Sequence, residues 1–210
     1  MKLFHFSRVR WPLMVNTFIT LKECGRGKMA DPNIKETLAL VDKLTITLYR
    51  IGMLVSGVAM IALALQQLFY PLWFKQALIL LALGAILQAS SLHIYNKNIR
   101  WILVMASWLA CWVLSISFII TGLWGAYLSL GLFIITFSGL AYKESFCFSL
   151  TILKALPILL TLSWFLIIFS LNQWAAISLL FSGALYLYMA WRKIKMPLHF
   201  DFGDRSKYEV

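Results

Sequence analysis

Residues 101–142 read WILVMASWLACWVLSISFIITGLWGAYLSLGLFIITFSGLAY, and the number of helices they contain decides the fold. A helix needs about 20 apolar residues to cross a hydrocarbon core about 30 Å thick, and this run is roughly twice that long. Its one break is Thr121-Gly122, which implies a very tight turn. Read as one helix, the run gives a chain of five spans with its ends on opposite sides of a membrane. Read as two, it gives six spans with both ends on the same side.

Basic residues choose between the two readings. With six spans and an inside N-terminus, the inner segments collect Lys35, Lys43, Arg50, Lys97, Arg100, Lys143, Lys154, Arg192, Lys193, Lys195, Arg205 and Lys207. The outer segments collect Lys75 alone. Positive loops stay in the cytoplasm, so the expected fold is an all-α, polytopic six-helix transmembrane bundle with both termini cytoplasmic, in a bacterial inner membrane.

The rest of the composition agrees. The chain has 210 residues, 61% of them hydrophobic and 13% charged, with a mean hydropathy of +0.82. A soluble domain carries roughly 25% charged residues. The runs are too long and too evenly apolar for barrel strands, which alternate in and out. The six spans run from Leu44 to Leu68, Gln76 to Tyr95, Trp101 to Ile119, Gly122 to Tyr142, Ile152 to Leu171, and Trp174 to Trp191. Phe69, Tyr70, Trp73, Phe74, Trp124 and Trp174 fall near one interface, and Tyr95, Trp101, Tyr142, Tyr188 and Trp191 near the other, as interfacial anchors do. The net charge of +11 is scattered over loop ends and forms no dense patch, which fits topology and anionic lipid and excludes nucleic acid as a partner.

The ends of the chain are more polar. Residues 1–28 hold six basic residues and one acid around the broken apolar stretch WPLMVNTFITL, with no small-residue cleavage pattern. They read as a loosely structured extension. Met29 stands as an alternative start, because Asp31 is a good helix N-cap and Pro32 fits the first helical position after it. Residues 29–43 form an amphipathic cytoplasmic lead-in, with Ile34, Leu38, Val41 and Leu44 at helical spacing. Residues 44–191 are the membrane domain. Residues 192–210 read as a short cytoplasmic tail, whose polar end HFDFGDRSKYEV at 199–210 is expected to be mobile.

Few residues inside the spans can do chemistry. Between Lys43 and Phe200 the sole acid is Glu144, and ion-coupled transporters place carboxylates near the midplane. Ser138-Gly139 on the fourth span invites comparison with rhomboid-type intramembrane proteases. The comparison fails, because Thr136 stands where their motif has its first glycine and the sixth span has no His to act as a base. Ser138, Ser182 and Gly183 read instead as close-packing positions, with Gly52, Ser56 and Gly57 in the first span and Ala82, Ala85 and Ala89 in the second. Cys24, Cys111 and Cys147 imply no outer disulfide.

The stretch GLAYKESFCFSL at 139–150 lies at the cytoplasmic elbow between the fourth and fifth spans. Lys143 can snorkel to water, Phe146 and Phe148 sink into the headgroup boundary, and Cys147 lies between them. Glu144 is closer to hydrocarbon than an unpaired carboxylate should be, so Lys154 or Arg50 is expected to neutralise it as part of a structural clamp. A second reading joins His93, Glu144 and Cys147 in a metal or redox site, although no pair among them has a recognised ligand spacing. No cofactor is expected.

Lys143, Glu144, Phe146 and Cys147, after a glycine-bearing fourth span, give the chain its resemblance to a family. It resembles uncharacterised bacterial and cyanobacterial integral membrane proteins related to a hypothetical plastid open reading frame, some of them labelled as linked to a cation pump. That resemblance implies a membrane location and no particular activity. The expected function is a non-catalytic accessory or assembly partner of a membrane complex, in contact with the lipid bilayer and with another complex or a second copy. The alternatives are a small permease for a neutral or weakly charged solute and the metal or redox site at the elbow.

Overall fold

The computed structural model describes residues 39–69, 73–92, 94, 96–120, 122–147, 151–198 and 201, with the side chains of Phe146 and Cys147 outside that description. The described chain is all helical. Its helices are α1 (Leu40–Phe69), α2 (Phe74–Ser90), α3 (Lys97–Ile120), α4 (Leu123–Cys147), α5 (Leu156–Ile168) and α6 (Asn172–Ile194), with a 3₁₀ turn at Thr151–Ala155 leading into α5. Five of these segments, α5 counted with its 3₁₀ turn, are long and apolar enough to cross a membrane. The exception, α2, has 17 residues, a rise of about 25 Å, at the short end of what spans a bilayer.

The break at Thr121-Gly122 is real: α3 ends at Ile120 and α4 begins at Leu123. Ser117 makes the turn possible, because its carbonyl accepts from Gly122 N at 3.2 Å while its hydroxyl donates to Gly122 O at 2.7 Å. Residues 101–142 are therefore two antiparallel helices.

Each helix departs from its expected span by a few residues, and two of these differences have a local cause. The second helix stops at Ser90 rather than Tyr95. Its last turn tightens through Ser91 N to Gln88 O at 3.2 Å, and Asn96 caps the next helix by accepting from Asn98 N and Ile99 N at 3.0 and 3.2 Å. The fifth span does not open as an α-helix at Ile152. Pro157, in its first turn, supplies no N–H for a bond four residues back, so the chain enters through the 3₁₀ turn. That helix closes in a Schellman arrangement, with Ser170 N donating to Ile167 O at 3.0 Å and Leu171 N to Leu166 O at 2.9 Å. Ser170 takes the left-handed position usually held by glycine, with φ 58°. The lead-in expected at 29–43 lies outside the described residues up to 38; from Leu40 onward it is already α1.

Consecutive helices pack side by side, and α6 returns to α1 to close the ring, α1 with α6 and α1 with α2 being the most extensive pairings. Leu63 and Met60 of α1, Leu78 of α2, Phe133 and Phe137 of α4, Leu160 of α5 and Tyr186 of α6 fill the interior. Small residues set the spacing of the α1 seams. A Cβ on Gly52 would meet Gln88 and Leu87 at 2.9 Å, one on Gly57 would meet Leu187 at 2.6 Å, and one on Gly183 would meet Ile61 at 2.8 Å. Association in lipid depends on such close approach, since burial of apolar surface offers no gain there.

Polar rivets join neighbouring helices. Ser107 lies 3.1 Å from Thr136 between α3 and α4, Trp164 Nε1 donates to Tyr127 O at 2.8 Å between α5 and α4, and Ser163 meets Ser178 at 2.8 Å between α5 and α6. Phe69, Trp73, Trp124 and Trp174 are exposed at one end and Trp101, Tyr188 and Trp191 at the other, where interfacial anchors belong. Tyr70 and Tyr95 lie outside the described residues.

Candidate functional site

Two linked polar clusters occupy the α1–α6 side of the bundle. The deeper one centres on Gln88, fully buried near the end of α2. Its amide nitrogen donates to Ser56 Oγ at 2.7 Å and Gly52 O at 3.1 Å on α1, and its amide oxygen accepts from Tyr186 of α6 at 2.7 Å. Tyr186 in turn packs edge-on against Phe137 of α4, with ring centroids 5.7 Å apart. One glutamine thus ties α1, α2 and α6 together while leaving none of its groups facing hydrocarbon without a partner.

The second cluster lies at the end of the bundle where α1 begins and α4 and α6 finish. Glu144 is completely buried. Its Oε2 accepts from Lys193 Nζ at 2.8 Å and its Oε1 from the Tyr49 hydroxyl at 3.0 Å, with Lys143 Nζ at 3.5 Å. Lys143 also lies over the Tyr49 ring, 5.4 Å from its centroid. Lys193 continues the chain of charge to Asp201, 2.8 Å from its Oδ1, an ion contact rather than a directed hydrogen bond. Asp201 Oδ2 accepts from Arg50 Nε at 2.8 Å and sits 2.7 Å from Nη2. Arg50 further donates to Met196 O at 2.9 Å, Ile194 O at 3.3 Å and Pro197 O at 3.4 Å, so it also caps the carbonyl end of α6.

The site therefore reads Tyr49, Glu144, Lys193, Asp201, Arg50, with alternating charge along its ionic part. Glu144 is ion-paired, to Lys193 and Lys143. Arg50 pairs with Asp201, and the ammonium that reaches Glu144 belongs to Lys193 of α6, with Lys143 beside it. Lys154 lies on the 3₁₀ turn that leads into α5. The pairing is set by geometry: Glu144 sits on the face of α4 that looks toward α1 and α6.

Beyond α6, the carbonyls of Met196 and Pro197 accept from Arg50, and the Asp201 side chain is only 5% exposed; the rest of 199–210 lies outside the described residues. Tyr49, Lys193 and Asp201 escaped sequence reasoning. The signal for the last was its acidic character in a chain whose membrane domain carries a single carboxylate.

The metal reading falls largely outside the described residues. His93 and the side chains of Phe146 and Cys147 fall outside the described residues, as does Phe148, and the Glu144 carboxylate is already engaged by a tyrosine and two lysines. Among the described residues no group of three His, Cys, Asp or Glu side chains could hold an ion. Ser138 Oγ is buried with no hydrogen-bond partner among the described residues, and neighbouring Gly139 packs on Leu103.

A ring of apolar helices riveted by hydrogen bonds between neighbours, with its buried ion pairs at one end, defines a polytopic α-helical integral membrane protein. The chain belongs to the family described as "Uncharacterized integral membrane protein (DUF2301)", whose pattern matches residues 87–210. It is also 35% identical, over 184 residues, to an "Uncharacterized protein" of Haemophilus influenzae, an alignment covering 87% of this chain and 100% of that one. No solved structure matches the chain.

Proposed function

We propose that this protein is a non-catalytic accessory or assembly component of a membrane complex, resident in a bacterial inner membrane with both ends in the cytoplasm. The observation that carries this reading is the tight packing of the interior among the described residues. The cavity among Met60, Leu63, Leu130, Phe137 and Leu160 has a volume of about 10 Å³, space for roughly one water molecule. A permease needs a polar path through the bundle, and here the interior polar side chains are largely bonded to one another.

A protein with a closed interior acts through its outer surface. Trp108 and Trp112 stand exposed near the middle of α3, where lipid offers an indole N–H no acceptor, and large aromatics are what protein interfaces use as anchors. Extraction in mild detergent is expected to recover the protein with a second polypeptide in fixed ratio. Trp108→Leu with Trp112→Leu is expected to lower that ratio at least fivefold while leaving the melting temperature unchanged. Recovery of the protein alone, together with solute uptake in reconstituted vesicles, would overturn the proposal in favour of the permease.

The orientation rests on the basic residues at the Arg50 end of the bundle, with Lys75 at the other. Reporter fusions after Lys97 and Val210 are expected to behave as cytoplasmic, and one near Trp124 as external. An external signal from Val210 would overturn this arrangement.

A further inference from the structure

Arg50 and Lys193 are both buried, at 7% and 5% exposure, and they converge on one carboxylate that comes from beyond the end of the last helix. One oxygen of Asp201 faces Arg50 Nε and Nη2 at 2.8 and 2.7 Å, and the other faces Lys193 Nζ at 2.8 Å. A guanidinium edge joined by an ammonium is the arrangement by which proteins hold phosphates and carboxylates in general.

The charge count points the same way. With Asp201 in place, Arg50, Lys193 and Lys143 face Glu144 and Asp201. Without it, three cations face one carboxylate among the described residues, and an anion in its place restores the balance. The cations stay in position when Asp201 departs, because Glu144 still holds Lys193 and the carbonyls of Ile194 and Met196 still hold Arg50. Asp201 lies beyond α6, which ends at Ile194, and its backbone is held locally, its N–H donating to Leu198 O at 3.1 Å. Beside the carboxylate a cavity of about 10 Å³ is lined by Ile46, Tyr49, Lys143, Lys193 and Asp201. A tetrahedral oxyanion, larger than a carboxylate, gains a third cation on that side.

We propose that Arg50 and Lys193 form an anion-receptor site that the chain fills with its own Asp201, and that the site takes a phosphate group when that carboxylate is displaced. The phosphate comes from a lipid headgroup or from solution, and both present the same oxyanion to the same donors. Asp201 is then a built-in competitor: a phosphate that binds displaces its carboxylate and changes the surface at that end of the bundle.

The test uses the full-length chain in neutral detergent. Asp201→Asn and Asp201→Gly are each melted with sodium phosphate, with sodium chloride at matched ionic strength, and with mixed micelles of phosphatidylglycerol or phosphatidylcholine. Both variants are expected to melt several degrees below the unaltered protein in chloride. Phosphate or phosphatidylglycerol is expected to restore about half of that loss or more in Asp201→Gly, to shift the unaltered protein far less, and to lose this effect when Arg50→Gln is added. Recovery with phosphatidylglycerol and not with free phosphate assigns the site to a headgroup, and recovery with both assigns it to phosphate from either source. Equal shifts in variant and unaltered protein, or recovery that survives Arg50→Gln, would overturn the proposal. So would failure of both variants to fold when extracted in phosphate with phosphatidylglycerol, because the site would then accept no occupant but its own.

Discussion

Glu144→Ala is expected to destabilise the detergent-solubilised protein by roughly 3 kcal/mol, the lower part of the range seen when one member of a buried ion pair is removed. The loss has two parts. Lys193 Nζ, 6% exposed at its side chain, loses its 2.8 Å partner, and the Tyr49 hydroxyl loses its acceptor. The value stays low in the range because Lys193 keeps Asp201. Glu144→Gln keeps one carbonyl oxygen for Tyr49 or Lys193 and turns an N–H donor toward the other, so about 2 kcal/mol is expected. Lys193→Met alone leaves Glu144 with Lys143 and Tyr49. Combined with Glu144→Gln it removes both buried charges, and the pair is expected to cost at least 1 kcal/mol less than the sum of the single changes. Equilibrium unfolding of the four proteins measures this, and a Glu144→Ala loss within about 0.5 kcal/mol would show that the clamp contributes little.

Gly84→Ala is expected to destabilise by about 2–4 kcal/mol, from overpacking of about 1–3 and a lost hydrogen bond of about 1. The added methyl would collide with Ser56 Oγ and lie 2.9 Å from the Ser56 backbone nitrogen. A side chain can turn aside, whereas the backbone of α1 cannot. Moving α1 off α2 stretches the 2.7 Å bond from Gln88 to Ser56 and with it the tie to Tyr186. Ser56→Gly is therefore expected to relieve only part of the damage. Gly122→Ala is the control, since a Cβ there meets nothing within 4 Å, and a change near zero is expected. A Gly84→Ala protein as stable as the Gly122→Ala protein would mean that the α1–α2 seam is loose.

The membrane class, six helices and the break at Thr121-Gly122 follow from the sequence by itself, because hydrophobic length against bilayer thickness is a one-dimensional quantity. Gly52, Gly57 and Gly183 were legible too, since small residues recur where helices in lipid must touch, whereas Gly84 was not singled out. Glu144 stood out as the lone acid of the membrane domain, which marks a buried carboxylate without naming its partner. Lys193 and Asp201 lie 49 and 57 positions further on, and no periodicity connects them to Glu144 or to Arg50. Their meeting follows from α6 closing the ring against α1 and carrying the chain back over Arg50, which brings Lys193 within 2.8 Å of both carboxylates. Only the tertiary structure decides which charges pair. Burial makes an ion pair depend on direct contact at about 3 Å, and in a ring of helices such contact is set by how each helix is rotated about its axis and by which helix closes on the first, neither of which is written in local sequence.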